Sequence, residues 1–309
     1  MKKYLILIIF LFCGIAGFAQ QINRFNPDTI KTIHLDSTIN IKSHKLNAQD
    51  FIDAMLADTG FYKAFHDLKD YDFIAENRIY TYDKKNKVDG RIYRKLHHTN
   101  QHGKHIIQTV AKRDTGKVYK HNGKYQLYTV EMFDYIFQNP NSSDFVKGED
   151  LPGGKNESYK DKLKTLIFTP GRRVKGVPFI SSKTEVFSDD MKQYYNYEFA
   201  RGTYLDSIPV YRFKVVMKPN LSSGDKDGVM IKEMTTIFDT RTFKVLGRYI
   251  DMKYSNFLFD FNVQMNLELA NYGGQFLPCK ISYQGNWNIP FHKEERASFL
   301  VVHKDYRRL

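Results

Sequence analysis

The chain has 309 residues, 42% hydrophobic and 15% aromatic, with 47 Lys and Arg against 34 Asp and Glu for a formal net charge of +13. Two cysteines exclude a disulfide-stapled scaffold. The basic excess would suit anionic headgroups, other polyanions or nucleic acid, but the Lys and Arg are scattered rather than clustered and read as solvated strand faces.

At the start, Lys2 and Lys3 precede an apolar run from Tyr4 to Phe12, and Gly17-Phe-Ala19 fits a small-residue cleavage site. The pattern predicts a secretory signal peptide over residues 1–19. The run is too short for a comfortable transmembrane helix, and no later stretch approaches 18 apolar residues, so no transmembrane segment is expected after signal removal. Cys13 follows Phe12, where a lipidation site needs a small residue. The expected location is the periplasm, or the periplasmic face of the outer membrane, which sets nucleic acid aside as a partner. Cys279, the one remaining thiol, cannot form an internal bridge and reads as a small buried hydrophobe.

Residues 20–45 are polar and weakly patterned, a linker or loosely held arm. Residues 46–309 are expected to form one domain. Phe51, Ile52, Met55, Leu56, Tyr62 and Phe65 recur at helix spacing, with Asn47 placed as an N-cap. Strands are expected from Tyr71 to Lys120, separated by turns at 83–86, 100–103 and 114–116, and Asn122-Gly123 marks a further hairpin. Helical patterns follow at 130–138 and 158–167, with a Pro/Gly/Asn/Ser-rich loop, a lid or a disordered insertion, between them at 139–156. An antiparallel meander then occupies the rest. In it Tyr211, Phe213, Val215 and Met217 alternate with polar residues, Ser222–Gly228 reads as a turn, and Phe299 to Val302 reads as the closing strand.

The clearest signal is Phe257, Phe259, Phe261, Val263, Met265, Leu267 and Leu269, seven apolar residues alternating with Asp260, Asn262, Gln264, Asn266 and Glu268. Period-2 alternation marks a half-buried antiparallel strand. Thirteen residues span roughly 43 Å, and burying the seven side chains contributes on the order of 10–20 kcal/mol. Three covers are possible: the chain's own helices, lipid around a membrane barrel, or a bound apolar ligand. Amphipathic helices and the non-aromatic terminus Tyr306-Arg-Arg-Leu309 argue against a membrane barrel. Ten long strands at about 4.8 Å make a sheet too wide for three short helices to cover flat, so the sheet must curl. The residues predict an α+β class: a large antiparallel sheet, strongly curled and partly filled by helices, that either packs solid or keeps an apolar cavity.

The run Ile237-Phe-Asp-Thr-Arg-Thr-Phe-Lys-Val245, the long alternating strand, and Gly274-Gln-Phe-Leu-Pro-Cys-Lys-Ile281 resemble the C-terminal half of the outer-membrane lipoprotein-sorting (lipoprotein carrier) superfamily. The mature chain also resembles a group of uncharacterised secreted proteins of Gram-negative bacteria, through Leu46-Asn-Ala-Gln-Asp-Phe-Ile52, Leu163-Lys-Thr-Leu-Ile-Phe-Thr-Pro-Gly171 and Trp287-Asn-Ile-Pro-Phe291. The carrier resemblance implies an α+β fold in which a large curved antiparallel sheet, an incomplete barrel, has a few helices packed on its concave face and forms an apolar cavity for acyl chains. No cargo-handling residue of that superfamily matches a position here.

Chemistry is less evident. His98 and His105 would become cross-strand neighbours in a hairpin, but a tetrahedral zinc site needs three or four ligands, so a solvated hairpin end is expected and no metal. Asp189-Asp190 and Glu294-Glu295 would point to opposite strand faces and read as surface charge. The Gly171-Arg-Arg-Val-Lys-Gly176 loop reads as a solvated turn, and Trp287 as a core or rim anchor. No nucleophile elbow or phosphate-cradling loop occurs, so no catalytic residue and no cofactor is expected. The functional expectation is non-catalytic binding of a lipid or lipoprotein acyl chain by Phe257, Phe259, Phe261, Val263, Met265, Leu267, Tyr211, Phe213, Val215 and Met217. Two alternatives are an accessory subunit with an envelope protein partner and a hydrolase with dispersed catalytic residues. Oligomeric state is not legible.

Overall fold

Ten antiparallel strands form one open, curved sheet in the order β3-β2-β1-β10-β9-β8-β7-β6-β5-β4. They are β1 (Tyr71–Tyr82), β2 (Val88–Gln101), β3 (Lys104–Gly116), β4 (Tyr195–Tyr204), β5 (Ile208–Met217), β6 (Ile231–Asp239), β7 (Val245–Ser255), β8 (Asp260–Tyr272), β9 (Gln275–Asn288) and β10 (Glu295–Arg308). This is a computed structural model that describes residues 46–101, 104–137, 167–173, 181–255, 260–288 and 293–309. The chain divides into Met1–Thr32 and Ile33–Leu309, and every described residue belongs to the second unit. The expected signal peptide, the arm at 20–45, the loop at 139–156 and the helix at 158–167 up to Ile167 lie outside the described residues. So do Phe257 and Phe259 of the long strand.

The meander from β4 to β10 runs through tight turns whose residues explain its register. Tyr272 pairs with Gln275 across Gly273 and Gly274, at φ 59° and 89°. A two-residue hairpin loop with positive φ at both positions strongly favours glycine. At the β6–β7 turn, Asp239 Oδ1 accepts from the Arg241 and Thr242 amides (2.9 and 2.7 Å) and from the Thr242 hydroxyl (2.9 Å). An Asp that bonds its own following amides makes the backbone turn there. Burial works against this carboxylate, but the Thr242 and Arg241 hydrogen bonds outweigh it and hold its pKa below the ordinary value.

The helices sit on the concave face. The predicted helix over 46–65 is two: α1 (Ala48–Ala57) and α2 (Gly60–His66). Asn47 caps α1 with a capping box, its side chain accepting from the Gln49 and Asp50 amides while Asp50 reaches back to the Asn47 amide at 2.7 Å. The break falls at Asp58, whose Oδ1 accepts from the Gly60 and Phe61 amides (3.0 and 3.3 Å) and so starts a new helix instead of continuing the old one. α3 (Tyr128–Phe137) follows the Tyr119–Tyr125 bridge predicted around Asn122-Gly123. α1 lies against β4, α2 against β7 and β9, and α3 against β10.

Three local expectations are corrected. Ser222–Gly228 is a short helix, α5 (Ser223–Gly228), started by Ser222 accepting from the Asp225 amide at 3.1 Å. Asp189 and Asp190 lie in a one-turn helix, α4 (Asp189–Lys192), not in a strand. Glu295 is not free surface charge: its carboxylate accepts from the Tyr128 and Thr129 amides at 2.8 and 2.7 Å, capping α3 from β10. A carboxylate at the positive end of a helix is stabilising there.

Candidate functional site

The alternating residues of β5 and β8 face the core. Tyr211, Phe213, Val215, Phe261, Val263, Met265 and Leu267 are buried in the main apolar cluster, and Met217 is half-buried against it. Phe51 of α1, fully buried, packs against the β5 residues. Its ring lies 5.3 Å from Phe213 in a stacked arrangement and 5.7 Å from Tyr211 edge-on, with Phe238 at 5.6 Å and Phe243 at 5.4 Å. Further along the face, Phe261 stacks on Trp287 at 4.8 Å, and the Trp287 indole donates to the Tyr283 hydroxyl at 2.7 Å. Trp287 is thus the rim anchor its residue type suggested. α2 adds Phe61 and Phe65, which pack on Phe168 at 6.3 and 5.1 Å. Helices of the same chain therefore cover much of the inner face.

An open cleft of about 1100 Å³ lies at one end of this face. Four features build its walls: α2 and the turn after it, the β4–β5 turn, the β6–β7 turn and the β8–β9 hairpin. Ala64, Val245 and Leu269 belong both to the cleft and to the main apolar cluster, so the cleft floor is the edge of the core. Lys63, Asp67, Asp70, Arg241, Lys244 and Arg308 surround that floor with charge of both signs. Asp239 also lines it, but its hydrogen bonds within the turn commit it to structure. Of the described long-strand apolar residues, Leu269 alone lines this cleft.

The polar residues singled out from the sequence are distributed elsewhere. The register pairs His98 with Ile107 and His105 with Asn100, so the two histidines are not directly opposite. Their rings still meet, His98 Nδ1 lying 3.0 Å from His105 Nε2. His98 is only 1% exposed, which corrects the expected solvated hairpin end. It stacks on Phe73 at 4.4 Å, and His303, also buried, lies 5.1 Å from the same ring. Burial, helped by the charges of His303, His105 and His97, pushes the His98 pKa down to about 2, and burial pushes His303 down to about 4. Both are neutral at physiological pH. Among the described residues no group of three or more His, Cys, Asp or Glu could hold a metal ion.

Cys279 is partly buried and donates to the Glu268 carbonyl at 3.3 Å, and burial raises its pKa to about 12. A thiol so far from its thiolate is no nucleophile. Arg172, in the described part of the basic loop, donates to the Leu56 carbonyl at 2.5 Å and ties that loop to α1.

Two buried cations escaped the sequence reading. Arg94 makes a two-point pair with Asp134 of α3 (2.7 and 3.2 Å), and Tyr125 donates to the same carboxylate. Arg248 of β7 is 1% exposed, inside the apolar face, and its Nη1 donates to the Ile167 and Phe168 carbonyls at 3.2 and 3.0 Å. A signal existed for the second. Arg248 is in phase with Ile250, Met252 and Tyr254, where alternation calls for an apolar residue.

No family model and no curated protein matches the chain. Solved structures do: a LolA superfamily protein from Nitrosomonas europaea at 8% identity and TM-score 0.23, covering 85% of this chain and 94% of that one. A domain described as an outer membrane lipoprotein-sorting protein, from Vibrio parahaemolyticus, matches at 9% identity and TM-score 0.28 over 85% and 93%. A DUF1329 family protein from Desulfovibrio piger matches at 11% and 0.26 over 84% and 92%.

Proposed function

We propose that this is an exported, non-catalytic protein that binds an acyl-bearing amphiphile between its curved sheet and its helices. In this reading residues 1–19 are removed on export to the periplasm, 20–45 form an arm, and 46–309 form the binding domain. The ligand residues are Tyr211, Phe213, Val215, Met217, Phe261, Val263, Met265 and Leu267 on the inner side of β5 and β8, together with Phe257 and Phe259, which lie outside the described residues. One observation carries the reading: the open cleft ends on the apolar core itself, through Ala64, Val245 and Leu269. A mouth that is polar at its rim and apolar at its floor suits a molecule with both characters. Because α1 and α2 already cover the face, a chain gains room there only as these helices shift.

The reading is tested by titrating the purified protein with a fluorescent fatty acid such as cis-parinaric acid. Saturable one-to-one uptake, displaced by an unlabelled fatty acid, is the expected result. No uptake by folded protein would contradict it.

A second reading, an accessory subunit with an envelope protein partner, draws on β3. This thirteen-residue edge strand is exposed along most of its length and carries Ile107 and Val110 at 37% and 55% exposure. An exposed edge is a template for a further strand. Co-purification of a stoichiometric envelope protein, lost in an Ile107→Lys/Val110→Lys variant, would favour this reading.

A further inference from the structure

Arg248 is a cation held in apolar surroundings with two of its three nitrogens unused. It projects from β7 between Thr236 on β6 and Leu267 on β8, and its guanidinium lies 4.7 Å from the centre of the Phe61 ring of α2. Nη1 is satisfied by two carbonyls, yet Nε and Nη2 have no hydrogen-bond partner among the described residues. The hydroxyl of Thr236, directly opposite in the register and fully buried, also has none. Burial lowers the Arg248 pKa to about 10, partly offset by the charge of Asp58, so the group remains a cation at neutral pH.

Asp58 does not complete the site. Its Oδ1 is used by the Gly60 and Phe61 amides, its Oδ2 is itself without a partner, and no hydrogen bond joins it to Arg248. Burial raises the Asp58 pKa, with the Arg248 charge opposing the rise. Asp58 and Arg248 thus feel each other's charge with no hydrogen bond between them. A buried guanidinium lacking a direct counter-charge is strongly destabilising, and native interiors rarely keep buried donors idle. The idle edge is also informative: Nε and Nη2 form the side of the guanidinium that takes both oxygens of a planar oxyanion at once.

We propose that Arg248 is the receptor for the oxyanion headgroup of the bound amphiphile, a carboxylate on an acyl chain, with Thr236 donating a further hydrogen bond. This deepens the acyl-binding reading above and rests on it. The ligand sits head inward, its carboxylate replacing Asp58 as the counter-charge of Arg248 and its chain running along the inner face toward the cleft. The Phe61 ring that covers the guanidinium is the group that gives way. Because Asp58 stands at the joint between α1 and α2, exchanging the counter-charge also loosens that joint.

The test is isothermal titration of the full chain with laurate, with 1-dodecanol and with inorganic phosphate. The expected result is laurate binding at least about tenfold tighter than 1-dodecanol, the size of a hydrogen bond to a charged group. In Arg248→Met the ratio collapses to about one. Should that variant fail to fold, Asp58→Asn gives an independent reading: it keeps the cap on α2, removes the competing charge and raises the laurate to 1-dodecanol ratio further. Equal affinity for the two ligands in the unaltered chain overturns the headgroup assignment while leaving acyl binding intact. Failure of both to bind removes the reading beneath it. Displacement of laurate by inorganic phosphate alone at similar concentrations also overturns the acyl assignment, giving the site to a free oxyanion.

Discussion

The two flanks of the sheet bury their inner faces by different chemistry. From β5 to β8 the face is made of Tyr211, Phe213, Val215, Met234, Phe238, Ile250 and Val263, and it is sealed by aromatic rings from α1 and α2. From β2 through β1 to β10 the same side carries Asn77, Thr81, Arg94, His98 and His303, all buried or nearly so, with α3 on β10. The first flank is held by apolar area and ring packing, which is tolerant of ionic conditions. The second depends on charge pairing and on histidines kept neutral, so it should respond to pH and to loss of a single partner. Arg248 is the exception within the apolar flank, and that contrast makes it a candidate for function rather than stability.

The largest effect should come from breaking the apolar flank. Phe51→Ala is expected to lose about 3–5 kcal/mol of unfolding free energy, as a fully buried aromatic ring is removed. Ile107→Ala on the exposed β3 edge should stay within about 0.5 kcal/mol. Urea unfolding of both variants checks the difference.

The pH response sharpens the comparison. His98 and His303 have folded pKa values near 2 and 4, below the unfolded value of 6.5. The unfolded chain therefore binds protons that the folded chain refuses, so stability is full above pH 6.5 and falls as pH drops below it. At about 1.4 kcal/mol per histidine per pH unit, the two groups together should remove about 4 kcal/mol by pH 5. In urea titrations at pH 7 and pH 5, His303→Gln should show about half of that extra loss. A full-sized loss in the variant would mean that other groups govern the acid response.

Next comes the ion pair. Asp134→Ala leaves Arg94, with only 12% of its side chain exposed, without its carboxylate, and should lose about 3 kcal/mol. Thermal melts of the single variant and of Asp134→Ala/Arg94→Met would show whether removing both partners restores part of the loss. The smallest effect should follow Asn47→Ala, about 1 kcal/mol, since it removes the α1 cap without touching either face.

How much of this was legible depended on how each element is stabilised. The β5 alternation, the Gly273-Gly274 hairpin and the Asn47 cap are local patterns, and each took the form its residues indicated. β8 alternates only as far as Gln264, and from Met265 to Leu269 it is buried on both faces, with Asn266 donating to Glu268 at 2.6 Å. The broken helix at Asp58 was not legible, because the periodicity of 46–65 continues through it and only the side chain's own hydrogen bonds stop it. The burial of His98 was missed because it depends on Phe73 and His303, distant in sequence and brought together only by the β1–β2 and β1–β10 registers. The ligand face was named from the strands alone. The cleft came from turns and from α2, whose convergence no single segment reveals. Arg248 was visible as a charge in an apolar phase, but its two idle nitrogens became evident only with the structure.

The most direct test of the account is native mass spectrometry of the protein purified from the envelope of its own cells, followed by solvent extraction and lipid analysis. The account predicts a stoichiometric acyl species, released on extraction and carrying a carboxylate. A clean unliganded mass from folded protein, unchanged after incubation with fatty acids, would contradict it, and the inner face would then be the chain's own core and nothing more.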